Sequence, residues 1–177
     1  TVIKILYAVG SEDAALMLQR FLRYYDAQRY QIKITAPLTP ILEGVEVTWT
    51  LNYIKGRQEE FNLKDLQSSK IAQYSEFIKK YDPNLIICDN EVYTAYLSSA
   101  LNKPIFNVGS SYLLGKGCHP DDRRFQTHYE GALRNSDTFN ELQKYICHNA
   151  ARNYIYSYLS EVSNPPRLKA GYEWIRP

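Results

Sequence analysis

The chain opens on a nearly unbroken apolar run, Val2 to Val9, VIKILYAV. Runs of this kind mark strands buried on both faces of a parallel sheet. Gly10-Ser11-Glu12-Asp13 breaks the run, and Ser11 or Asp13 can cap a following helix, whose positive end the acids favour. Residues 14–26 carry an apolar stripe (Leu16, Leu18, Phe21, Leu22, Tyr25) that predicts that helix. QIKITA, from Gln31 to Ala36, is a second strand, stopped by Pro37 and Pro40. VEVTWTL, from Val45 to Leu51, alternates between Gly44 and Gly56 and predicts a shorter strand. Residues 63–81 form a long amphipathic pattern ended by Asp82-Pro83. Leu85 to Cys88 is another buried strand, Val92 to Leu101 a helix closed by Asn102-Lys103-Pro104, and Ile105 to Val108 a further strand.

From Cys118 the pattern changes. Phe139, Leu142, Ile146 and Tyr154 recur at helical intervals after the capping residue Ser136, so residues 118–162 read as helices. Residues 163–177, rich in proline, read as an extended, linker-like tail. The expectation is one α/β domain over 1–177: a Rossmann-like three-layer sandwich with a mostly parallel sheet over 1–115 and a helical C-terminal portion. Such sheets meet ligands at the loops leaving the carboxyl ends of their strands. That rule selects Gly10 to Asp13, Ala36 to Pro40, Asp89 to Glu91 and Gly109 to Ser111.

Composition narrows the function classes. With 177 residues, 45% hydrophobic and 23% charged, the chain can bury a core and does not resemble a disordered segment. A net charge of +2 gives no footprint for nucleic acid. No apolar run approaches the roughly 20 residues of a membrane span, and the first residues lack the build of a signal peptide. Three cysteines, Cys88, Cys118 and Cys147, fit a reducing cytoplasm without disulfides. A basic patch could hold such a chain against anionic lipid, which leaves peripheral membrane contact open, although the charges are dispersed. Most of the sixteen tyrosines suit the edge of a core; some could form a platform for a sugar or base.

The candidate chemistry lies in the selected loops. Asp89 and Glu91 end a buried strand where a carboxylate could orient a base, accept a proton or hold a sugar hydroxyl. The alternative is that Asp89 or Asn90 caps the helix from Val92, and the two roles are compatible. Gly10, Ser11, Glu12 and Asp13 form the first strand-to-helix turn, with Asp13 a candidate base. Neither GxGxxG nor GxxxxGK[ST] is present, and two acids in the turn would repel a phosphate. Gly109, Ser110 and Ser111 offer small polar donors, and His119 stands in a loop before Pro120. Cys118-His119 and Cys147-His148 are adjacent pairs, whereas zinc ligands are spaced by two or more residues, so no metal site is expected. No GxSxG nucleophile elbow occurs.

Asp82-Pro83-Asn84-Leu85-Ile86-Ile87-Cys88-Asp89, the small residues Ala95 and Ala100, and Leu101-Asn102-Lys103-Pro104-Ile105 together resemble a recurring segment of GT-B glycosyltransferases: "pDlvisD", a helix rich in small residues, then "lgiPvi". KILYAVGSEDAA is similar to the first strand and glycine turn of their amino-terminal domains, and Arg167 to Pro177 resembles the linker leading out of that domain. Sugar-nucleotide 2-epimerases share the architecture and a similar middle segment.

The resemblance implies one half of a two-domain enzyme, with the acceptor side here and the nucleotide-sugar donor gripped by a second domain absent from this sequence. The donor is a substrate, and no cofactor is implied. The resemblance also implies a histidine base in the first turn oriented by an aspartate like Asp89. This turn has no histidine, so Asp13 or Glu12 would serve, or His119 would reach in. The expected function is therefore the amino-terminal, acceptor-binding domain of a glycosyltransferase acting on a glycan or lipid-linked acceptor, with little activity alone. A nucleotide-sugar epimerase or hydrolase of the same fold, or a non-catalytic Rossmann-like binding module, are the alternatives.

Overall fold

The computed structural model describes residues 1–36, 49–50, 69–89, 91–109, 113, 116–122, 147, 149–157 and 161–176. Seven strands and three helices are assigned there: β1 Ile3–Val9, α1 Glu12–Tyr24, β2 Tyr30–Ala36, β3 Trp49–Thr50, α2 Ser69–Tyr81, β4 Leu85–Asp89, α3 Val92–Ala100, β5 Ile105–Gly109, β6 Arg152–Tyr156 and β7 Tyr172–Ile175. The strands form one sheet in the order β3-β2-β1-β4-β5-β6-β7. Every neighbouring pair is parallel. This is a Rossmann-like α/β fold, and the chain direction across the sheet reverses between β1 and β4.

The two faces bury separate cores, as the pleat requires. On one face Ile5, Tyr7 and Val9 of β1 meet Ala14, Ala15 and Leu18 of α1, together with Ile34, Ile87 and Val108. On the other, Leu6, Ile86, Cys88 and Ile105 pack against Ile71, Tyr74 and Ile78 of α2 and Tyr93, Ala95 and Leu97 of α3. A smaller cluster continues this second face, with Leu113, Cys118, Cys147 and Ile155 under Tyr172 and Trp174. All three cysteines are buried.

The helix ends follow local chemistry. Ser11 caps α1, its Oγ accepting from the Ala14 amide at 3.2 Å. Asp82 and Asn102 follow α2 and α3 at φ of 53° and 55°, the left-handed conformation that ends a helix and that short polar residues tolerate.

Two stretches differ from the sequence expectation. Arg152–Tyr156, read as part of a helix, is strand β6, and Tyr172–Ile175, read as a linker-like tail, is the edge strand β7. In the first, alternation wins over helical spacing because the edge of β5 offers a backbone ladder, Asn107 pairing with Asn153; in the second, the extended tail adds to the edge of β6, Asn153 pairing with Tyr172. Residues 118–122, expected at the start of the helical portion, form a bridge to Leu168 and a turn instead; residues 123–146, 148 and 158–160 of that portion, residues 37–48, the start of the helix read over 63–81, Asn90, Ser110 and Ser111 lie outside the described residues. Among the described residues no helix is long and apolar enough to cross a membrane.

Candidate functional site

The carboxyl ends of the central strands stand side by side. Val9 is in register with Asp89, and Asp89 with Val108. The Gly10 amide donates to the Asp89 carbonyl at 3.0 Å, which ties the first turn to the end of β4. The turns at Gly10, Asp89 and Gly109 therefore share one rim, as the parallel topology demands.

Asp89 is the unusual residue of this rim. Its side chain is fully buried, with 0% exposure. One oxygen, Oδ1, accepts from the Tyr156 hydroxyl at 3.0 Å. The other, Oδ2, is buried with no hydrogen-bond partner among the described residues. Burial pushes the carboxyl well above the usual carboxylate range; the Tyr156 hydrogen bond pulls it down, and the charge of Asp13 pushes it further up. The Tyr7 phenol is raised by burial and then by Asp89, and the Cys88 thiol by burial and then by Glu91 and Asp89. Burial favours the protonated form of this acid, which can donate its proton through Oδ2 and take it back. Full burial means that a ligand reaches Oδ2 only after the side chains above it shift.

The neighbouring acid has a different task. Glu91, not Asp89 or Asn90, caps α3: its Oε1 accepts from the Tyr93 amide at 3.0 Å and its Oε2 from the Thr94 amide at 2.6 Å. Two backbone donors at a helix amino terminus satisfy a carboxylate that is only 2% exposed. The side chain of Thr94 extends this cap into a buried chain, because the Tyr74 hydroxyl bridges Thr94 Oγ1 at 2.6 Å and Thr35 Oγ1 at 2.9 Å.

The other sequence-selected residues divide by position. Asp13 is exposed in the first turn of α1, close enough for its charge to act on Asp89. Ser11 is occupied as the α1 cap, and Glu12 begins that helix. Gly109 ends β5 opposite Ile155. His119 is not brought to the rim. Its amide donates to the Arg167 carbonyl, and its ring lies 3.3 Å from the guanidinium of Arg167, a residue of the segment leading to β7, and 3.5 Å from Asp121. Sequence reasoning missed Tyr156 and Tyr7. The period-two pattern Tyr154-Tyr156 within NYIYSY was the available signal, and helical spacing obscured it.

Neither a family model nor a curated protein matches this chain. Solved structures do. A UDP-N-acetylglucosamine 2-epimerase structure aligns with TM-score 0.57 and 13% identity over 88% of this chain and 42% of its own. The Neisseria meningitidis UDP-GlcNAc 2-epimerase bound to UDP-GlcNAc gives 0.56 and 11% over 86% of this chain and 40% of its own. The Rickettsia bellii UDP-N-acetylglucosamine 2-epimerase gives 0.54 and 12% over 89% and 40%. The chain thus spans about two fifths of the length of the structures it matches. The likeness is one of fold: a Rossmann-like unit of GT-B type.

Proposed function

We propose that the chain is the amino-terminal, Rossmann-like domain of a GT-B-type enzyme that processes a nucleotide sugar, with Asp89 as its buried acid–base group and Asp13 as a carboxylate at the mouth of the site. The observation that carries this reading is Asp89 itself: a fully buried carboxyl with one oxygen unmatched among the described residues, at the strand end where such sheets bind ligands. An unmatched buried polar atom costs about 1–3 kcal/mol, and costs of that kind concentrate at functional sites.

The likeness to UDP-N-acetylglucosamine 2-epimerases favours epimerisation or hydrolysis of a nucleotide sugar over transfer. Moving a proton off and onto a sugar carbon, or onto a leaving oxygen, suits a carboxyl that burial holds above the usual carboxylate range. The exposed Asp13 supports a second reading, since one accessible carboxylate at the rim can deprotonate an acceptor hydroxyl in sugar transfer. In either reading the nucleotide sugar is held jointly with a second domain and no cofactor takes part.

The test is to incubate the intact protein with UDP-N-acetylglucosamine and follow the sugar by proton and phosphorus NMR. A new C2 epimer or free UDP without acceptor supports the first reading; UDP release that depends on a glycan acceptor supports the second. Asp89→Asn should abolish either turnover, and Asp13→Ala should lower kcat with little change in KM for the nucleotide sugar. An intact protein that neither binds nor turns over nucleotide sugars, or an Asp89→Asn variant with full activity, would remove the proposal.

A further inference from the structure

The amino-terminal half of the sheet carries a hollow of about 400 Å³, lined by Lys4 of β1, Gln31 and Lys33 of β2, and Phe77, Lys80 and Tyr81 of α2. Ligand sites start at about 300 Å³. Along the strands, Lys4 stands five residues and Lys33 three residues before the level of Val9, the neighbour of Asp89. At about 3.3 Å per residue, the hollow lies about 10–16 Å short of the Asp89 rim.

Its floor is fixed by hydrogen bonds. Tyr81 is buried, and its hydroxyl donates to the carbonyls of Ile5 at 3.3 Å and Gln31 at 3.1 Å, which ties the end of α2 to both strands. Phe77 stacks beside it, ring centres 6.4 Å apart. Lys33 Nζ lies 4.6 Å and Lys4 Nζ 5.7 Å from the centre of the Tyr81 ring.

The fold accounts for two of the three lysines. Lys80 belongs to the last turn of α2, and Lys4 donates to the Tyr81 carbonyl at 3.3 Å, so both suit the negative end of that helix. Asp82 acts on Lys4 through its charge, but its carboxylate is bonded to Lys103. Lys33 has neither task. It is half-buried on β2, and among the described residues its ammonium meets only the faces of Tyr81 and Phe77, the latter at 5.6 Å. A cation partly withdrawn from water needs an opposite charge to offset the cost. Lys4 and Lys33, both beside one ring, also repel each other within a Debye length of about 10 Å. Among the described residues no acidic side chain lines the hollow.

The lining selects the ligand. Ammonium groups serve phosphate oxygens as point charges, without the planar fork that arginine offers a carboxylate. Lys33 already occupies the aromatic faces, so the hollow offers charge rather than a platform for a base.

We propose that this hollow binds a compact polyanion of the pyrophosphate type, held by Lys4, Lys33 and Lys80 with Gln31 at its edge. The site is separate from the rim and does not depend on the role proposed for Asp89. The same phosphate chemistry occurs free in solution and on lipid headgroups.

The test titrates the intact protein with inorganic pyrophosphate, read by calorimetry and by backbone amide NMR. Binding should be saturable, tighter than that of orthophosphate, and weaker as salt rises. Amide signals of residues 4, 31–33 and 77–81 should shift, and those of residues 10–13 and 89 should not. Lys33→Gln with Lys80→Gln should weaken binding roughly tenfold or more, whereas Lys79→Gln, outside the lining, should leave it unchanged. Lys80→Glu alone, on the exposed end of α2, should also weaken it and keeps the test decisive if Lys33→Gln unfolds. Vesicles containing phosphatidylinositol bisphosphate that bind the protein and release it to pyrophosphate would place the phosphate on a lipid; vesicles that do not bind would make it a free ligand. No saturable binding, amide shifts at the Asp89 rim instead, an equal loss in Lys79→Gln, or single-stranded RNA that displaces pyrophosphate and binds equally well to the Lys33→Gln, Lys80→Gln variant would each overturn the proposal.

Discussion

Replacing Asp89 with asparagine should make the protein progressively more stable than its parent as pH rises, and that pH dependence carries the meaning. The side chain is fully buried, so its pKa shift is not screened by solvent, and the shift is upward, driven first by burial and then by Asp13. In the unfolded chain an aspartate titrates near about 3.9. Between that value and its higher folded midpoint, the native state holds more protons than the unfolded state. The stability that this proton linkage contributes is fully present below the unfolded pKa. It falls as pH rises, by about 1.4 kcal/mol per pH unit, until the folded midpoint is passed. The amide of an asparagine keeps the shape, can still accept from Tyr156 through Oδ1, and does not ionise. Urea unfolding of the two proteins at half-unit steps from pH 4 to 8 should give stabilities that lie close together at the acid end. Above it the parent should decline relative to the Asp89→Asn variant, whose stability lacks this proton-linked loss, until the folded midpoint is passed and the two curves run parallel. A stability difference independent of pH, or a parent that gains on Asp89→Asn as pH rises, would refute the argument that Asp89 is held protonated. The same variant should lose turnover, so that stability and activity move in opposite directions.

Three further perturbations probe the surrounding structure. Tyr156→Phe removes the hydrogen bond that favours the charged form of Asp89, so the carboxyl midpoint followed by carbon-13 NMR should move to higher pH; a midpoint unchanged in a folded variant would deny Tyr156 that role. Tyr74→Phe leaves the buried hydroxyls of Thr35 and Thr94 without their shared partner and should cost about 1–3 kcal/mol in urea unfolding, with little pH dependence. Gly117→Ala would place a methyl 2.6 Å from Tyr172 Cδ1 and 3.0 Å from Ile155 Cδ1, so the ring must move and stability should fall by about 1–3 kcal/mol; combining it with Tyr172→Ala should cost less than the sum of the two separate losses.

What could be read from the sequence follows from where each element sits in the sheet. β1, β4 and β5 lie in its middle, are covered on both faces over most of their length, and therefore spell themselves out as apolar runs. β6 and β7 lie toward one edge. Tyr154 and Tyr156 face the α1 side, while Asn153 hydrogen-bonds to Asn107 at 3.1 Å on the other, so polar residues stand where a central strand would carry valine or isoleucine. With tyrosines in that stretch meeting both periodicities, only the pairing with β5 decides for a strand. In β7, Tyr172 and Trp174 join the core of one face while Glu173 reaches Arg152, an alternation hidden behind Pro165-Pro166. Asp89 could be found because a topological rule points to strand ends. Tyr156 could not, since it meets Asp89 across 67 positions of sequence and through a strand that local spacing misassigned.

The same contrast explains why an apolar strand ends on two acids. Both Asp89 and Glu91 are withdrawn from water, and each needs compensation for that. Glu91 receives it from two backbone amides that α3 would otherwise leave unpaired, so its burial is offset by the helix it starts. Among the described residues Asp89 receives one neutral hydroxyl, keeps one oxygen unmatched, and stands near another acid whose charge works against its ionisation. A threonine or asparagine at position 89 would end the strand with a smaller desolvation penalty. A carboxyl there makes physical sense when its proton has a use, and that is the property through which the fold, the rim and the proposed chemistry are connected.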